Sequence, residues 1–359
     1  MSLFALIKYY IYNITIYFKG LKLGRKKSKD IDNFDKSNIK YYYGIANYDT
    51  VYSTGKVTPI DAYEYAYKLG LNFMFTTDHN SYLSDEVYIK ESKYSKFQGS
   101  KIYASRIRKK YTDFIPLVGF KCSTNQYGDI NIINTNNFFT NIIGDFKILA
   151  LWMLNNIDAF ITFNYINKNN KLLPYNEVLN KIITSVEVNN KIPKSDKYYY
   201  NFLDLGWMLG AISKYSINNT LNLGESENLT VCICNNLSTS NIISAFRERR
   251  TYSTESRYLK FYFTINDEFM GEEVFISSSK IRFMIFAEDM KYKIKELQII
   301  SNNGKVIRAI ENINLNSIKY LYEHRKENNE SWYIIKIIED DNRVAFSSPI
   351  FISKTSQII

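Results

Sequence analysis

One local unit constrains this chain more than any other. Thr58-Pro-Ile-Asp-Ala-Tyr-Glu-Tyr-Ala-Tyr-Lys-Leu-Gly70 is followed at once by Leu71-Asn-Phe-Met-Phe-Thr-Thr77 and then Asp78-His79-Asn80. Thr58 suits a helix N-cap, Pro59 the first helical position and Gly70 a left-handed C-terminal cap. The apolar run after Gly70 suits a buried strand. A helix feeding a buried strand that ends in Asp and His belongs to an α/β protein, with its site at the C-terminal ends of the strands.

More runs of the same kind follow: Phe114–Phe120, Asp129–Ile133, Asp158–Phe163, Ile183–Val188 and Met208–Ile212. Helical patterns are expected over Phe146–Asn155, Tyr175–Ile182 and Asn241–Arg250. After about Arg257 the texture changes. Tyr258–Ile265, Lys280–Phe286, Lys295–Ile300, Ser331–Ile338 and Ser348–Ile352 alternate or run apolar with no helix between them, which suggests a small β-sandwich. The expected division is an apolar-basic segment and linker over 1–38, an α/β domain over 39–256 and a sandwich over 257–359.

Composition narrows the chemistry. Two histidines, His79 and His324, cannot build a His-rich dinuclear metal centre. Three cysteines are too few for a disulfide framework. Cys232 and Cys234 share one face of an apolar strand and suit small buried residues rather than a zinc site. Reduced thiols fit a cytoplasmic setting.

The net charge is +10, but residues 1–30 hold seven basic residues against Asp30 alone. The body of the chain therefore does not suggest a nucleic-acid binder. The terminal segment has an apolar stretch, Leu3–Phe18, then a basic cluster through Lys29. It is shorter than the ~20 residues a spanning helix needs. It also lacks the order of a secretory signal. Residues 3–29 can lie on an anionic membrane surface, pack on the protein body or anchor in the bilayer. The first implies a cytoplasmic protein peripheral at the inner face of the membrane.

Five segments in order carry a family resemblance: Asn47–Gly55, Thr58–Asn80, Ile115–Gly119, Ser185–Asn189 and Ala245–Ser253. Together they resemble a PHP (polymerase and histidinol phosphatase) domain. Met270-Gly271 and Ser347–Ile350 are similar to its CehA/McbA-like branch. The resemblance covers roughly residues 40–355. It implies a distorted (β/α)7 barrel followed by a C-terminal β-sandwich. It also implies a metal centre of two or three divalent ions that hydrolyses phosphoester bonds.

Residue by residue, that centre is mostly replaced. The opening His-x-His falls on Asn47 and Asp49. The Thr-Asp-His motif survives as Asp78 and His79. The bridging Glu falls on Lys121, a later His on Asp129 and the Asn-His-Pro His on Tyr165. The closing Asp-x-His falls on Lys214 and Ser216. A protonated lysine has no lone pair to donate. At ~4 Å and an effective dielectric of ~20 it repels each unit of cation charge by roughly 4 kcal/mol.

Asp49, Asp78, His79 and Asp129 can hold one divalent cation (Mn, Fe, Zn or Mg). Alternatively the carboxylates pair with Lys121 and Lys214 in an ion network that replaces metal, and the two lysines favour this arrangement. The expected function is that of a PHP-like pseudoenzyme without a cofactor, acting by binding a protein partner or an anionic ligand. The alternatives are an active single-metal phosphoester hydrolase and a purely structural protein whose sandwich mediates assembly. Arg247, Arg249 and Arg250 are candidates to grip an anion at the barrel mouth.

Overall fold

The computed structural model describes residues 34–164, 171–188, 195–213, 228–276 and 278–353. The apolar-basic segment 3–29, Tyr165, Lys214 and Ser216 lie outside the described residues.

The capped unit forms as its sequence dictates. Helix α1 (Pro59–Lys68) starts at Thr58, whose side chain accepts from Asp61 N. It ends at Gly70, where φ is +76°, a conformation that suits glycine. Helix α2 (Lys96–Lys110) has a reciprocal capping box between Ser95 and Gln98. Helices α3 (Phe146–Leu154), α4 (Ser195–Asp204) and α5 (Thr239–Arg247) follow. Asp145 caps α3 and Ser238 caps α5.

The expected helix over Tyr175–Ile182 is corrected to one short 3₁₀ turn, Leu179–Lys181. Local and long-range side-chain bonds divert the backbone there. Asn176 Oδ1 accepts from Val178 N and Leu179 N, and Asn180 Oδ1 accepts from Met208 N. Short polar side chains compete in this way with helix bonds.

Nine strands of the large sheet come before residue 257: β1 (Lys40–Tyr48), β2 (Phe73–Thr76), β3 (Ile115–Ser123), β4 (Asp129–Ile133), β5 (Phe160–Phe163), β6 (Ile183–Val188), β7 (Gly210–Ser213), β8 (Leu229–Cys234) and β9 (Thr251–Thr254), with a separate hairpin of Glu86–Ile89 and Ser92–Ser95 between β2 and β3. Parallel ladders join β1–β2–β3 and β5–β6–β7. Strand β4 is antiparallel to both β3 and β5, and β8 is antiparallel to β1 and β9. At the far end β7 turns back to β8 through side chains. Ser213 N donates to Thr230 Oγ1 at 2.9 Å, and Ser213 Oγ donates to Leu229 O at 2.6 Å.

The sheet curves around an apolar cluster. Ala46, Phe73, Phe75, Ile115, Leu117, Ile133, Phe160, Ile212 and Cys232 converge from seven strands on Ile242, Ala245 and Phe246 of α5. Phe246 lies 5.0–6.1 Å, centroid to centroid, from Phe73, Phe75 and Phe160. Contacts of this kind add to the area they bury. Cys232 and Cys234 are free thiols buried in this cluster, as their period-two spacing suggests.

Ten more strands follow, two of them short (Glu268–Phe269 and Glu273–Phe275); the other eight are β10 (Leu259–Ile265), β11 (Lys280–Asp289), β12 (Ile294–Ser301), β13 (Lys305–Ile310), β14 (Ser317–Arg325), β15 (Trp332–Glu339), β16 (Val344–Ser347) and β17 (Ile350–Ser353). Strand β16 pairs with β9, so the large sheet continues across residue 257 through β15 to β12 and β13. A second sheet holds the short strand Glu268–Phe269, β10, β11 and β14 in that order. The whole is mixed α/β, with a large sheet rich in parallel ladders and few helices.

Candidate functional site

On the concave face each strand changes character along its length. Phe73 and Phe75 of β2 are followed by Thr77. Ile115 and Leu117 of β3 are followed by Lys121 and Ser123. Antiparallel β4 runs the other way, with Asp129 and Asn131 before Ile133. Phe160 of β5 precedes Thr162 and Asn164. The register aligns these positions, with Lys121 beside Asn131, Asn131 beside Thr162 and Thr162 beside Ser185. A polar layer therefore sits above the apolar cluster, at the C-terminal ends of the parallel strands.

The layer is internally satisfied. Lys121 Nζ donates to both carboxylate oxygens of Asp49, at 2.6 and 2.7 Å. The two side chains are 14% and 26% exposed. Asp78 is buried and accepts from Thr50 N, Thr50 Oγ1 and Ser53 Oγ, each at 2.7 Å. Burial pushes its carboxyl above the usual range, those three donors pull it back down, and Asp49 pushes it up again. Asp78 thereby fastens the turn after β1. Backbone bonding continues the same connection, with Lys121 N donating to Asp78 O at 3.0 Å.

His79 and Asp129 meet through a serine. Ser123 Oγ donates to Asp129 Oδ1 at 2.7 Å and lies 3.1 Å from His79 Nε2. With the serine proton committed to Asp129, Nε2 is the donor to Ser123. His79 Nδ1 then accepts from Ser81 N at 3.4 Å. This order assigns the tautomer by bonding logic. It is not a hydrolytic triad, because the carboxylate holds the serine and not the imidazole.

Asn47 Nδ2 donates to Glu187 Oε1 at 2.7 Å, while its Oδ1 accepts from Thr77 Oγ1 at 2.5 Å. Asn131 and Asn164 bond to each other amide to amide. The sequence alone did not mark Glu187, Ser123, Thr50, Thr77 or Asn131 as site residues. A signal was present, since Glu187 is the lone charge in an otherwise uncharged strand, Ile183–Val188. Polar residues at period two, such as Asp129 and Asn131, carry the same signal.

The donor set does not fit a divalent metal. A hard cation needs several oxygen lone pairs directed at one point. Asp49 spends both oxygens on an ammonium, Asp78 on three donors and Asp129 Oδ1 on Ser123. Among the described residues no three His, Cys, Asp or Glu side chains converge on a common point.

The three arginines lie elsewhere. Arg247 Nη2 donates to Ala159 O at 3.2 Å and also to Ile157 O, at the entry to β5. Arg249 Nε donates to Gly271 O at 2.9 Å, and Arg250 Nη2 donates to Ser244 Oγ at 3.0 Å. They sit before β9, at the end of the sheet opposite Asn47, Asp78 and Lys121. The structure therefore does not bring them to the polar layer, and they brace loop carbonyls and the end of α5 instead.

No family model and no curated protein matches the chain. Solved structures do. A two-domain protein containing a predicted PHP-like metal-dependent phosphoesterase from Bacteroides vulgatus ATCC 8482 matches at 14% identity, over 91% of this chain and 99% of that one, with a TM-score of 0.50. A protein described as a metal-dependent phosphoesterase from Bifidobacterium adolescentis ATCC 15703 matches at 11% identity, over 57% and 96%, with a TM-score of 0.36. The fold of this chain is that of the PHP-like phosphoesterases. The first match, which spans nearly the whole chain, agrees with the resemblance read from the five segments.

Proposed function

We infer that this protein is a PHP-fold pseudoenzyme, a (β/α)7-type barrel with a C-terminal β-sandwich that acts by binding rather than by hydrolysis. One observation carries the reading: Lys121 Nζ is bonded to both oxygens of Asp49 where the resemblance expects a metal-bridging glutamate. An ammonium there supplies the positive charge without a metal. The surrounding Asn, Thr and Ser bonds hold the strand ends that metal ligation would otherwise hold. Seven strands converging on one inner cluster support the barrel, and the two sheets after residue 257 support the sandwich.

Binding can take two forms, a protein partner or an anionic surface. The basic cluster behind Leu3–Phe18 supports attachment to an anionic membrane at its cytoplasmic face. No helix among the described residues is long and apolar enough to cross a membrane. Flotation of the full chain with anionic and neutral vesicles tests the attachment, and equal partition with both ends it.

Elemental analysis tests the central claim. Full-length protein is purified without chelators or a metal-binding tag, incubated with Mn, Fe, Zn or Mg in turn, and compared with His79→Ala. Trace metal in both is expected. One metal per chain in wild type, lost in His79→Ala, would overturn the reading and restore a single-metal phosphoesterase.

A further inference from the structure

The second sheet ends at β14. Among the described residues β14 pairs only with β11, over nine uninterrupted residue pairs from Lys280↔Arg325 to Glu288↔Ser317. Its other edge presents backbone groups with no strand of the described residues beside them. Protected edges are short, bulged, broken by proline or studded with charge, lysine above all, and of these β14 carries only charge, at Lys319, Glu323 and Arg325. This one is nine residues long, with the sequence Ser-Ile-Lys-Tyr-Leu-Tyr-Glu-His-Arg. At its centre Leu321 is 62% exposed.

The order of side chains on the outward face is Ser317, Lys319, Leu321, Glu323, Arg325. Laid antiparallel against itself with Leu321 on the two-fold axis, the strand opposes Leu321 to Leu321, Lys319 to Glu323 and Ser317 to Arg325. Shifting the register by two residues one way sets Lys319 opposite Arg325. Shifting it the other way sets Leu321 opposite Lys319. Only the centred register is self-complementary in charge, and opposite charges across strands stabilise while like charges destabilise.

The neighbouring strand extends the match. Met284 of β11 lies beside Leu321 and Arg282 beside Glu323. Joining two copies therefore creates an apolar row, Met284–Leu321–Leu321–Met284. Next to it runs a row of alternating sign in which Glu323 stands between Arg282 of its own chain and Lys319 of the other. On the opposite face Tyr320 meets Tyr322, and aromatic cross-strand pairs are favourable.

We propose that β14 is the homodimerisation edge of this protein, pairing antiparallel with a second copy about Leu321 to form one continuous sheet across the two-fold. A symmetric interface must be self-complementary in this way. The inference is independent of the polar layer and of its reading as a pseudoenzyme centre.

The test is site-specific cross-linking in the full chain under mild oxidation. The native cysteines Cys122, Cys232 and Cys234 are buried, so a surface cysteine reports alone. Leu321→Cys places two thiols at directly opposed antiparallel positions, within disulfide reach. It is expected to give a covalent dimer, whereas Lys319→Cys and Glu323→Cys are not. Sedimentation equilibrium supplies the second readout. Lys319→Glu should raise the dimer dissociation constant about tenfold by setting two carboxylates opposed on each side. Lys319→Glu with Glu323→Lys should restore it. A monomer at every concentration overturns the proposal. So do equal cross-linking at 319, 321 and 323, or a dimer insensitive to both substitutions.

Discussion

Lys121→Met removes the ammonium from the polar layer and keeps the side-chain length. The size of the effect follows from burial. A fully exposed ion pair contributes about 0–1 kcal/mol, and breaking a fully buried one costs about 3–5 kcal/mol. Lys121 and Asp49 are 14% and 26% exposed and make two short bonds. The cost therefore falls between those limits, at about 2 kcal/mol of unfolding free energy. Among the described residues Asp49 then keeps Thr54 Oγ1 as its one neighbouring donor, at 3.2 Å, in a half-buried site.

Urea denaturation followed by tryptophan fluorescence reads this as a lower midpoint at unchanged slope. Adding Asp49→Asn and the double variant closes a cycle whose coupling energy should be about 1–2 kcal/mol. A Lys121→Met midpoint equal to wild type, or a coupling of zero, would refute the claim that this pair organises the centre.

Three further outcomes are expected. Glu339 is buried against Asp289, and burial first, then the bond with Asp289, pushes its carboxyl up to about 9. A raised acid favours the folded state while protonated. Its contribution is complete below the unfolded value near 4.5 and is lost as pH rises to about 9. Glu339→Gln should remove up to about 1.4 kcal/mol per pH unit of decline in that window, read by denaturant melts at successive pH values. Asn47→Ala strips one partner from buried Glu187 and one from Thr77, and should lower stability by about 2–3 kcal/mol. Unchanged thermal unfolding would show that water replaces the amide. Phe246→Ala opens a cavity under Phe73, Phe75 and Phe160, and should cost about 3–5 kcal/mol in the same melts.

Much of the fold is legible locally. Helix α5 was expected over Asn241–Arg250 and is found over Thr239–Arg247, with Arg249 beyond its end at φ +56°. The strands Asp129–Ile133 and Ile183–Val188 lie where their apolar runs put them. Tyr175–Ile182 misled because its helical spacing is real, while Asn176 takes local bonds and Asn180 a bond to Met208, 28 positions on, that no periodicity records. The arginines misled for a related reason. Three cations near one helix end suggest an anion site, but guanidinium groups are equally suited to loop carbonyls, and the carbonyls were close.

By itself the sequence determined which residues stand at the strand ends. Its capped helix and apolar run placed Asp78 and His79 there, its composition excluded a histidine-rich centre, and the family resemblance added Asn47, Asp49, Lys121 and Asp129. Capping, alternation and composition are properties of neighbours in the chain, so they need no tertiary contact. Only the folded structure decided the pairings. Lys121 meets Asp49 across 72 positions and Asn47 meets Glu187 across 140. It also decided that one sheet runs through residue 257, and that among the described residues β14 is the last strand of the second sheet. These depend on how strands separated in sequence are brought side by side by burying Phe73, Phe75, Phe160 and Phe246 together. That burial is non-directional and long-range, and it leaves its mark in space rather than in the spacing of letters.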